Sequence, residues 1–243
     1  MCNRYRAASV VRIRDAFGFT YIESGPPIEY RYKLTGTGPL QPGPFIRRRE
    51  LVVGQWGLTP DGSATLKPVN QRTGRPLSTN NARWDPARLQ PEARSFRGPW
   101  DRRQRCLIPV EDFDEPYWGT GRNIWWRFRR ADGQPLAVAG LWNDWTDPAT
   151  GEAIPSYTML TINCNAHPVL SLMHKPDVDA QGAPLPPERQ DKRTIVALER
   201  GSWEQWLHGT REEAAALVRL PADDLYVHGP ADPQVQVQLP LLG

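Results

Sequence analysis

The sequence predicts an α+β fold, a single compact β-rich domain with mostly antiparallel sheets and short helices at its periphery. Three observations predict it. The length of 243 residues suggests one domain or at most two. The second half carries several strand-length runs of apolar, β-branched and aromatic residues between turn signals. Only two short segments there have helical periodicity. A hydrophobic fraction of 39%, with 10 Trp, supplies apolar surface for a core.

The first half of the chain is punctuated by Pro and Gly, which number 25 and 20 in the whole sequence. Residues 24–46 and 59–78 are therefore predicted to be loops with short extended pieces. In residues 78–85 (STNNARWD), Ser, Thr and Asn precede Ala82 and Arg83. These are capping residue types, so they predict the start of a short helix.

The second half is predicted to build the sheets. The expected strands are 106–110 (CLIPV), 124–128 (IWWRF), 136–142 (LAVAGLW), 157–163 (YTMLTIN) and 194–198 (TIVAL). Helices are expected at 202–208 and 210–218, a polar Pro-rich loop at 175–192, and a loose C-terminal tail at 229–243. Because no segment has the character of a long linker, residues 1–243 are expected to form one domain.

The net charge of +3 hides an asymmetry between the two halves of the chain. Residues 1–106 carry 19 Lys and Arg against 8 Asp and Glu, whereas residues 107–243 carry 11 against 19. Of the 30 basic residues, 26 are Arg, the side chain best suited to bidentate phosphate contacts. A nucleic-acid partner is therefore compatible with this near-neutral chain.

Composition argues against several other classes. No apolar run approaches the 18 or more residues of a membrane span. The first 19 residues are interrupted by Arg and Asp, so they do not form the apolar region of a secretory signal. Cys2, Cys106 and Cys164 are odd in number and widely spaced, which predicts neither a disulfide framework nor a zinc site. We expect a cytoplasmic protein without membrane, metal or cofactor.

Cys2 is the first candidate for chemistry. Removal of Met1 would leave an N-terminal cysteine, whose amine has an ordinary pKa of about 7.7–8.0 and is substantially neutral near physiological pH. Such an amine attacks an aldehyde, and the thiol of the same residue closes a five-membered thiazolidine ring. The alternative is a terminus that holds a small residue at position 2 by chance.

Other polar residues are ambiguous when each is taken alone. His174, in LSLMHKP, follows an apolar run, and His167 competes with it; either is also explained as a surface or satisfied core histidine. Glu115 ends an acidic run and is either a general acid/base or part of a solvated turn. Residues 80–83 contain an amide and a guanidinium that are candidates for the site, and helix capping is the alternative explanation for them. The arginine runs 47–49 and 102–103 are candidates for phosphate binding, and solubilising charge is the alternative.

Six segments taken in chain order resemble one known family. They are MCNRY at 1–5, WGLTP at 56–60, NAR at 81–83, RCLIPVEDFDE at 105–115, AGLW at 139–142 and LTINCNAHPVLSLMHKP at 160–176. These resemble the motifs of the SRAP family, the SOS-response-associated peptidases, whose members shield abasic sites in single-stranded DNA. The resemblance spans about 200 residues in collinear order. It implies the SRAP fold and a monomer that binds single-stranded DNA containing abasic sites.

The resemblance also implies roles for individual residues. Cys2 would form the thiazolidine with the ring-opened abasic deoxyribose, and Asn81 would hydrogen-bond the adduct. Glu115 would act as acid/base at the amine and Schiff base, and His174 would protonate the sugar oxygen and help reversal. The family is also credited with autoproteolytic removal of Met1, and some members with lyase activity at the abasic site. The residues implied to hold flanking phosphates are Arg4 and Arg83.

The chain departs from the family pattern in two places that matter. The aromatic residues around the acid are replaced by Phe113-Asp114-Glu115-Pro116, and the segment after His174 is interrupted by the loop 175–192. Two alternatives from other classes stay open. One is a cysteine peptidase that uses Cys2 on peptides in trans, and the other is a non-catalytic single-stranded DNA-binding module.

Overall fold

The computed structural model describes residues 2–18, 31–70 and 72–237. Its helices are α1 (Val10–Phe17), α2 (Arg97–Asp101), α3 (Trp203–His208) and α4 (Arg211–Ala215). Its strands are β1 (Tyr5–Ala7), β2 (Pro42–Arg47), β3 (Glu50–Trp56), β4 (Asn81–Asp85), β5 (Gln90–Pro91), β6 (Arg105–Tyr117), β7 (Ile124–Arg130), β8 (Leu136–Thr146), β9 (Ala153–Asn163), β10 (Arg193–Ile195), β11 (Ala197–Leu198) and β12 (Tyr226–Pro230).

Five of the strands close into a barrel. Their order is β8–β6–β2–β3–β9, and β9 pairs back with β8. Strand β9 runs parallel to β3 and to β4, whereas the other pairings are antiparallel. The α+β class with mostly antiparallel strands and few short helices, predicted from the sequence, is thus confirmed. None of the helices in the described part of the chain is long and apolar enough to cross a membrane.

Burial on both faces explains the most apolar strands. Residues 136–142 of β8 are all buried, because β8 lies between β6 and β9 in the barrel wall and is covered on both sides. Gly140 marks a close approach between β8 and its neighbours. A Cβ there would lie 2.8 Å from the Thr158 carbonyl oxygen and 2.6 Å from the Ile108 side chain, so any larger residue would separate these strands.

Extra strands extend one side of the barrel around the second half of β6. Strand β1 pairs with residues 110–113 of β6, and β7 pairs with residues 113–117. Strand β12 then pairs with β7. The first residues of the chain are therefore held against the same strand that carries Glu115.

The five predicted strands are present as parts of β6 to β11. Four of them are longer at one or both ends, and 194–198 is divided into β10 and β11. The division arises at Val196, which receives a backbone hydrogen bond from Ala139 and donates one to Leu160, so the chain changes partner there. Helices α3 and α4 lie where helices were predicted, and α4 begins with a reciprocal capping box between Thr210 and Glu213.

Two local predictions were wrong. Residues 81–85 form strand β4 rather than a helix, since their backbone pairs with Met159–Thr161 of β9 and the asparagine side chains bond elsewhere. Gly229 and Pro230, the first residues of the expected loose tail at 229–243, pair with β7 instead, and residues 238–243 lie outside the described residues. The loop predicted at 24–46 ends at β2, and its residues 24–30 lie outside the described residues.

Candidate functional site

The start of the chain is fixed along β6. The backbone N–H of Asp114 donates to the Arg4 carbonyl oxygen at 3.1 Å, and Tyr5 pairs with Phe113. The Cys2 thiol donates to the same Arg4 carbonyl at 3.5 Å. Cys2 is fully buried. Burial, reinforced by the Glu115 carboxylate, raises the pKa of the Cys2 thiol well above its ordinary value.

Two amides hold the Cys2 backbone from the opposite side. Because β4 lies beside β9, Asn81 is buried, and its Nδ2 donates to the Cys2 carbonyl oxygen at 2.6 Å. Asn80 Nδ2 reaches the same oxygen at 3.4 Å and Asn3 Oδ1 at 3.1 Å. The Asn81 side-chain oxygen is buried and accepts no hydrogen bond from the described residues. Burying an oxygen atom in this way costs free energy of folding unless a ligand or a water molecule donates a hydrogen bond to it.

Glu115 faces the interior because side chains alternate along a strand. Its neighbour Asp114 points the other way and pairs with Arg127 at 2.8 Å. Glu115 is 1% exposed, and neither of its oxygens accepts a well-aligned hydrogen bond from the described residues. Burial raises its pKa from 4.5 to about 7. Near neutral pH the carboxyl group therefore exists in both protonation states, as a group that gives and takes protons requires.

His174 is far from Glu115 in the sequence but contacts it in the fold. Its Nε2 lies 3.2 Å from Glu115 Oε2 and 3.2 Å from the Arg193 carbonyl oxygen. A carbonyl can only accept, so Nε2 carries the hydrogen in this arrangement. Burial lowers the pKa of His174 to about 3, which keeps the imidazole neutral at physiological pH.

The backbone of His174 is held in an unusual conformation. Its φ is +64°, in the left-handed region that non-glycine residues seldom occupy. Two contacts maintain it: the His174 N–H donates to the Pro116 carbonyl at 2.6 Å, and Lys192 Nζ donates to the His174 carbonyl at 2.8 Å. A strained residue held by its neighbours at a site of unpartnered polar atoms is typical of a functional position.

The four residues Cys2, Asn81, Glu115 and His174 therefore converge, although they come from both charge halves of the sequence. Together they provide a nucleophile, an amide, a carboxyl group that titrates near neutrality and a neutral imidazole. No group of three or more His, Cys, Asp or Glu side chains in residues 2–18, 31–70 and 72–237 is arranged to hold a metal ion.

The two predicted phosphate-binding arginines lie at the edge of this site and are paired with carboxylates. The Arg4 guanidinium is 3.3 Å from Asp114, and its side chain is 49% exposed. Arg83 Nη1 donates to Asp191 Oδ2 at 2.7 Å. Asp191 also accepts from Arg193 Nε at 2.7 Å. A phosphate that reaches Arg83 thus has to compete with a carboxylate of the 175–192 loop.

The competing candidates lie outside the site. His167 is buried, and its Nδ1 accepts the backbone N–H groups of Val169 and Leu170 at 3.2 Å, so it caps a local turn. In the arginine runs, Arg47 pairs with a carboxylate and stacks on Trp142, while Arg102 pairs with Asp61. These contacts give the residues structural explanations.

Sequence reasoning assigned no specific role to Asn80, Lys192 or Arg193, which all contact site residues. Asn80 is covered only by the general expectation of an amide or a helix cap in 80–83. Lys192, at the end of the 175–192 loop, and Arg193 lie 18 and 19 residues after His174, and only the return of that loop brings them to the histidine. No local pattern in the sequence indicates these contacts.

Two surface cavities flank the buried site. One, of about 610 Å³, is lined by His174, Lys192 and residues of the 175–192 loop. The other, of about 460 Å³, is lined by Asn3, Asn80 and turn residues around Leu40 and Ser78. The first cavity, on the histidine side, reaches the site at His174, and the second, on the asparagine side, reaches Asn3 and Asn80. Neither is lined by Cys2, Asn81 or Glu115.

Comparison with known proteins places the chain in a family. The profile of the family described as SOS response associated peptidase (SRAP) matches residues 1–236. A comparison with curated proteins finds no match. Among solved structures, a protein from Bordetella bronchiseptica is similar, with a TM-score of 0.75 and 30% identity over 95% of this chain and 100% of that one.

Two further structures share the fold. A protein from Bacteroides thetaiotaomicron has a TM-score of 0.73 at 17% identity, covering 96% of this chain and 93% of its own. A phage-related protein from Bordetella bronchiseptica has a TM-score of 0.58 at 16% identity, covering 95% and 94%. With the profile match over residues 1–236, these findings show that the chain belongs to the SOS response associated peptidase (SRAP) family.

Proposed function

We propose that this protein is a sensor of abasic sites, which captures the lesion in single-stranded DNA by forming a thiazolidine between the deoxyribose aldehyde and Cys2. The observation that carries the proposal is the convergence of Cys2, Asn81, Glu115 and His174 around polar atoms that accept no hydrogen bond from the described residues. The product would shield the lesion from strand cleavage.

The reaction begins with hydrolysis of the Met1–Cys2 peptide bond, which consumes one water and frees the Cys2 amine. The neutral amine adds to the C1′ aldehyde of the ring-opened sugar to give a carbinolamine, which takes up one proton and loses one water to give an iminium. The Cys2 sulfur then adds to the iminium carbon, and the thiol proton leaves. Two new bonds to one carbon close a five-membered ring that an internal cysteine cannot form.

For each proton transfer, the site contains a group in a suitable protonation state. Glu115, with a pKa near 7, takes the proton from the attacking amine and returns it to the departing hydroxyl. Near this carboxyl, His174 has a hydrogen on Nε2 to share with the sugar oxygen as the ring opens. Asn81 fixes the Cys2 carbonyl, and its free Oδ1 accepts from a sugar hydroxyl.

Arg4 and Arg83 bind the flanking phosphates in the proposed complex. Both are partly exposed, and both lie next to residues of the site. Each is held by a carboxylate in the free protein, so DNA would exchange these ion pairs for phosphate contacts. Because phosphate contacts release counterions, we expect noncovalent affinity to fall steeply with salt.

The direct test is incubation of Met1-processed protein with an oligonucleotide containing one abasic site, followed by denaturing electrophoresis. We expect a slower-migrating band with the wild-type protein and none with Cys2→Ala. Cys106→Ala is the matched control, since Cys106 is buried in β6 away from the site. A Cys2→Ala protein that still forms the same stable adduct would contradict the proposal.

Two further measurements, peptide cleavage without DNA and lesion preference in binding, separate the two alternatives. A peptidase acting in trans would cleave unrelated peptides through many turnovers without DNA, whereas removal of Met1 is a single event on the protein's own chain. A non-catalytic DNA-binding module would keep its preference for the lesion after Cys2 is replaced and would lose binding only on removal of arginines.

A further inference from the structure

The cavity on the histidine side is built in part by the loop 175–192, where this chain departs from the family pattern. One wall is the turn that follows β6 and contains Trp118, and the facing wall is the loop 175–192, with Pro184 and Leu185. Its base includes His174. The loop is held in place by hydrogen bonds of Gln190 to the Asp177 and Leu185 carbonyls, at 3.2 and 2.6 Å. These hydrogen bonds give this wall of the cavity a defined conformation.

The cavity combines an aromatic face with positive charge. The Trp118 ring is partly exposed, and Lys175 Nζ lies 5.7 Å from its centroid. Lys192 lines the cavity itself, and its Nζ donates to the His174 carbonyl oxygen. None of the described lining residues is Asp or Glu. An aromatic ring with adjacent cations is the combination that single-stranded nucleic-acid sites use for base stacking and phosphate attraction.

We propose that this cavity binds the nucleotide next to the abasic site, with its base stacked on Trp118 and its phosphate near Lys175. This inference rests on the proposed function and identifies one neighbour of the lesion as part of the substrate. It also gives the 175–192 loop a role as the wall of a base-binding subsite.

Continuity with the reactive site supports this occupant. His174 lines the cavity and lies 3.2 Å from Glu115, while the His174 backbone bonds to Pro116, two residues before Trp118. Because His174 and Trp118 line the same cavity, the nucleotide that adjoins a sugar held at Glu115 and His174 can enter it. The volume of about 610 Å³ is large enough for a nucleotide, and the apolar Pro and Leu wall suits a base rather than a second phosphate.

Noncovalent binding to modified oligonucleotides tests the proposal. The probe is a short single strand with a central tetrahydrofuran residue, a stable abasic analogue without an aldehyde. In two further probes the nucleotide on the 5′ side or on the 3′ side is also replaced by tetrahydrofuran, which removes that base and keeps the backbone. Dissociation constants are measured by fluorescence anisotropy for the wild type and for Trp118→Ala, Trp118→Phe and Trp145→Ala. Trp145 is the matched control, a partly exposed tryptophan on β8 that does not line the cavity.

For the wild type we expect loss of one neighbouring base, on one side only, to weaken binding about fivefold or more. Trp118→Ala should bind the complete probe about fivefold more weakly and no longer distinguish it from the probe without that base. Trp118→Phe and Trp145→Ala should retain the distinction. Lys175→Met should lower the slope of affinity against salt by about one phosphate contact.

Two results would overturn the subsite: a wild type that does not distinguish the probes on either side, or a distinction that survives unchanged in Trp118→Ala. A wild type that distinguishes the probes but forms no adduct with an aldehyde-bearing abasic site would contradict the proposed covalent function and leave the subsite supported. A wild type that binds none of the probes would also overturn the subsite, and adduct formation with an aldehyde-bearing abasic site would decide the covalent function separately.

Discussion

The replacement Glu115→Gln tests the electrostatics of the site through the pH dependence of stability. In the folded protein burial raises the Glu115 pKa from 4.5 to about 7, so the native state keeps a proton that the unfolded chain loses. Because the pKa is raised, the contribution of protonated Glu115 to the free energy of unfolding is fully present below about pH 4.5. This contribution is lost as the pH rises towards 7. The amide introduced by the substitution does not titrate, so the variant lacks this loss.

The size of the effect follows from the shift. Each pKa unit corresponds to about 1.4 kcal/mol, so the buried carboxylate destabilises the wild type by about 3 kcal/mol at pH 8 relative to pH 4.5. In a chain of this length that is a change in Tm of about 6–12 °C. The lowered pKa of His174 acts in the opposite direction between about pH 3 and 6.5, but the histidine is present in both proteins. Subtracting the two stability curves therefore gives the titration of Glu115 together with its coupling to the neighbouring His174.

The assay is thermal or urea unfolding of wild type and Glu115→Gln at several pH values from 4.5 to 8. We expect the stability of the variant relative to the wild type to rise across this range and to level off above about pH 7. Burying the uncharged amide changes the stability of the variant by the same amount at every pH. It therefore displaces the curve of the stability difference against pH without changing its shape. A difference that stays flat from pH 4.5 to 8 would refute the assignment of Glu115 as a buried acid that titrates near neutrality.

Three further predictions follow from individual contacts. Asn81→Ala should slow crosslinking about tenfold or more, because the Asn81 amide makes the shorter hydrogen bond to the Cys2 carbonyl oxygen, and Asn80→Ala should have a smaller effect. Equal rates in the two variants would contradict this ranking. Asp191→Asn should strengthen binding of single-stranded DNA about two- to fivefold at low salt in anisotropy titrations, since Arg83 is released for phosphate; weaker binding would indicate that Asp191 serves only to hold the loop. Thr210→Ala should cost about 1 kcal/mol of stability by removing the helix cap without changing the crosslinking rate, and an unchanged Tm would show that the capping box contributes nothing.

Hydrophobic patterning predicted parts of three of the five barrel strands, β6, β8 and β9, because the burial of these strands shows in their local composition. The other two, β2 and β3, were not among the predicted strands, and most of β2 lies in the predicted loop 24–46. The runs at 106–110 and 136–142 are buried on both faces and are apolar throughout. Residues 78–85 show the limit of local signals. Their Asn and Ser side chains have the chemistry of helix caps, but in the fold Asn80 and Asn81 bond the Cys2 carbonyl while the backbone pairs with β9. Long-range pairing outweighs capping there.

The identities of the site residues came from the resemblance in motifs, and their geometry came only from the fold. The contact between Glu115 and His174 depends on the pairing of Tyr117 with Met173, which joins segments far apart in sequence. The raised pKa of Glu115 depends on complete burial in a sheet whose facing strands no short window reveals. The asymmetric charge of the two halves does not mark a domain boundary, since both halves contribute to one site.

Intact mass spectrometry of the purified protein, before and after incubation with abasic single-stranded DNA, tests the central claim most directly. We predict a protein that lacks Met1 and then gains the mass of the oligonucleotide less one water, with the modification on the N-terminal peptide after digestion. An unmodified protein, or an adduct carried by Cys106 or Cys164 rather than Cys2, would contradict it.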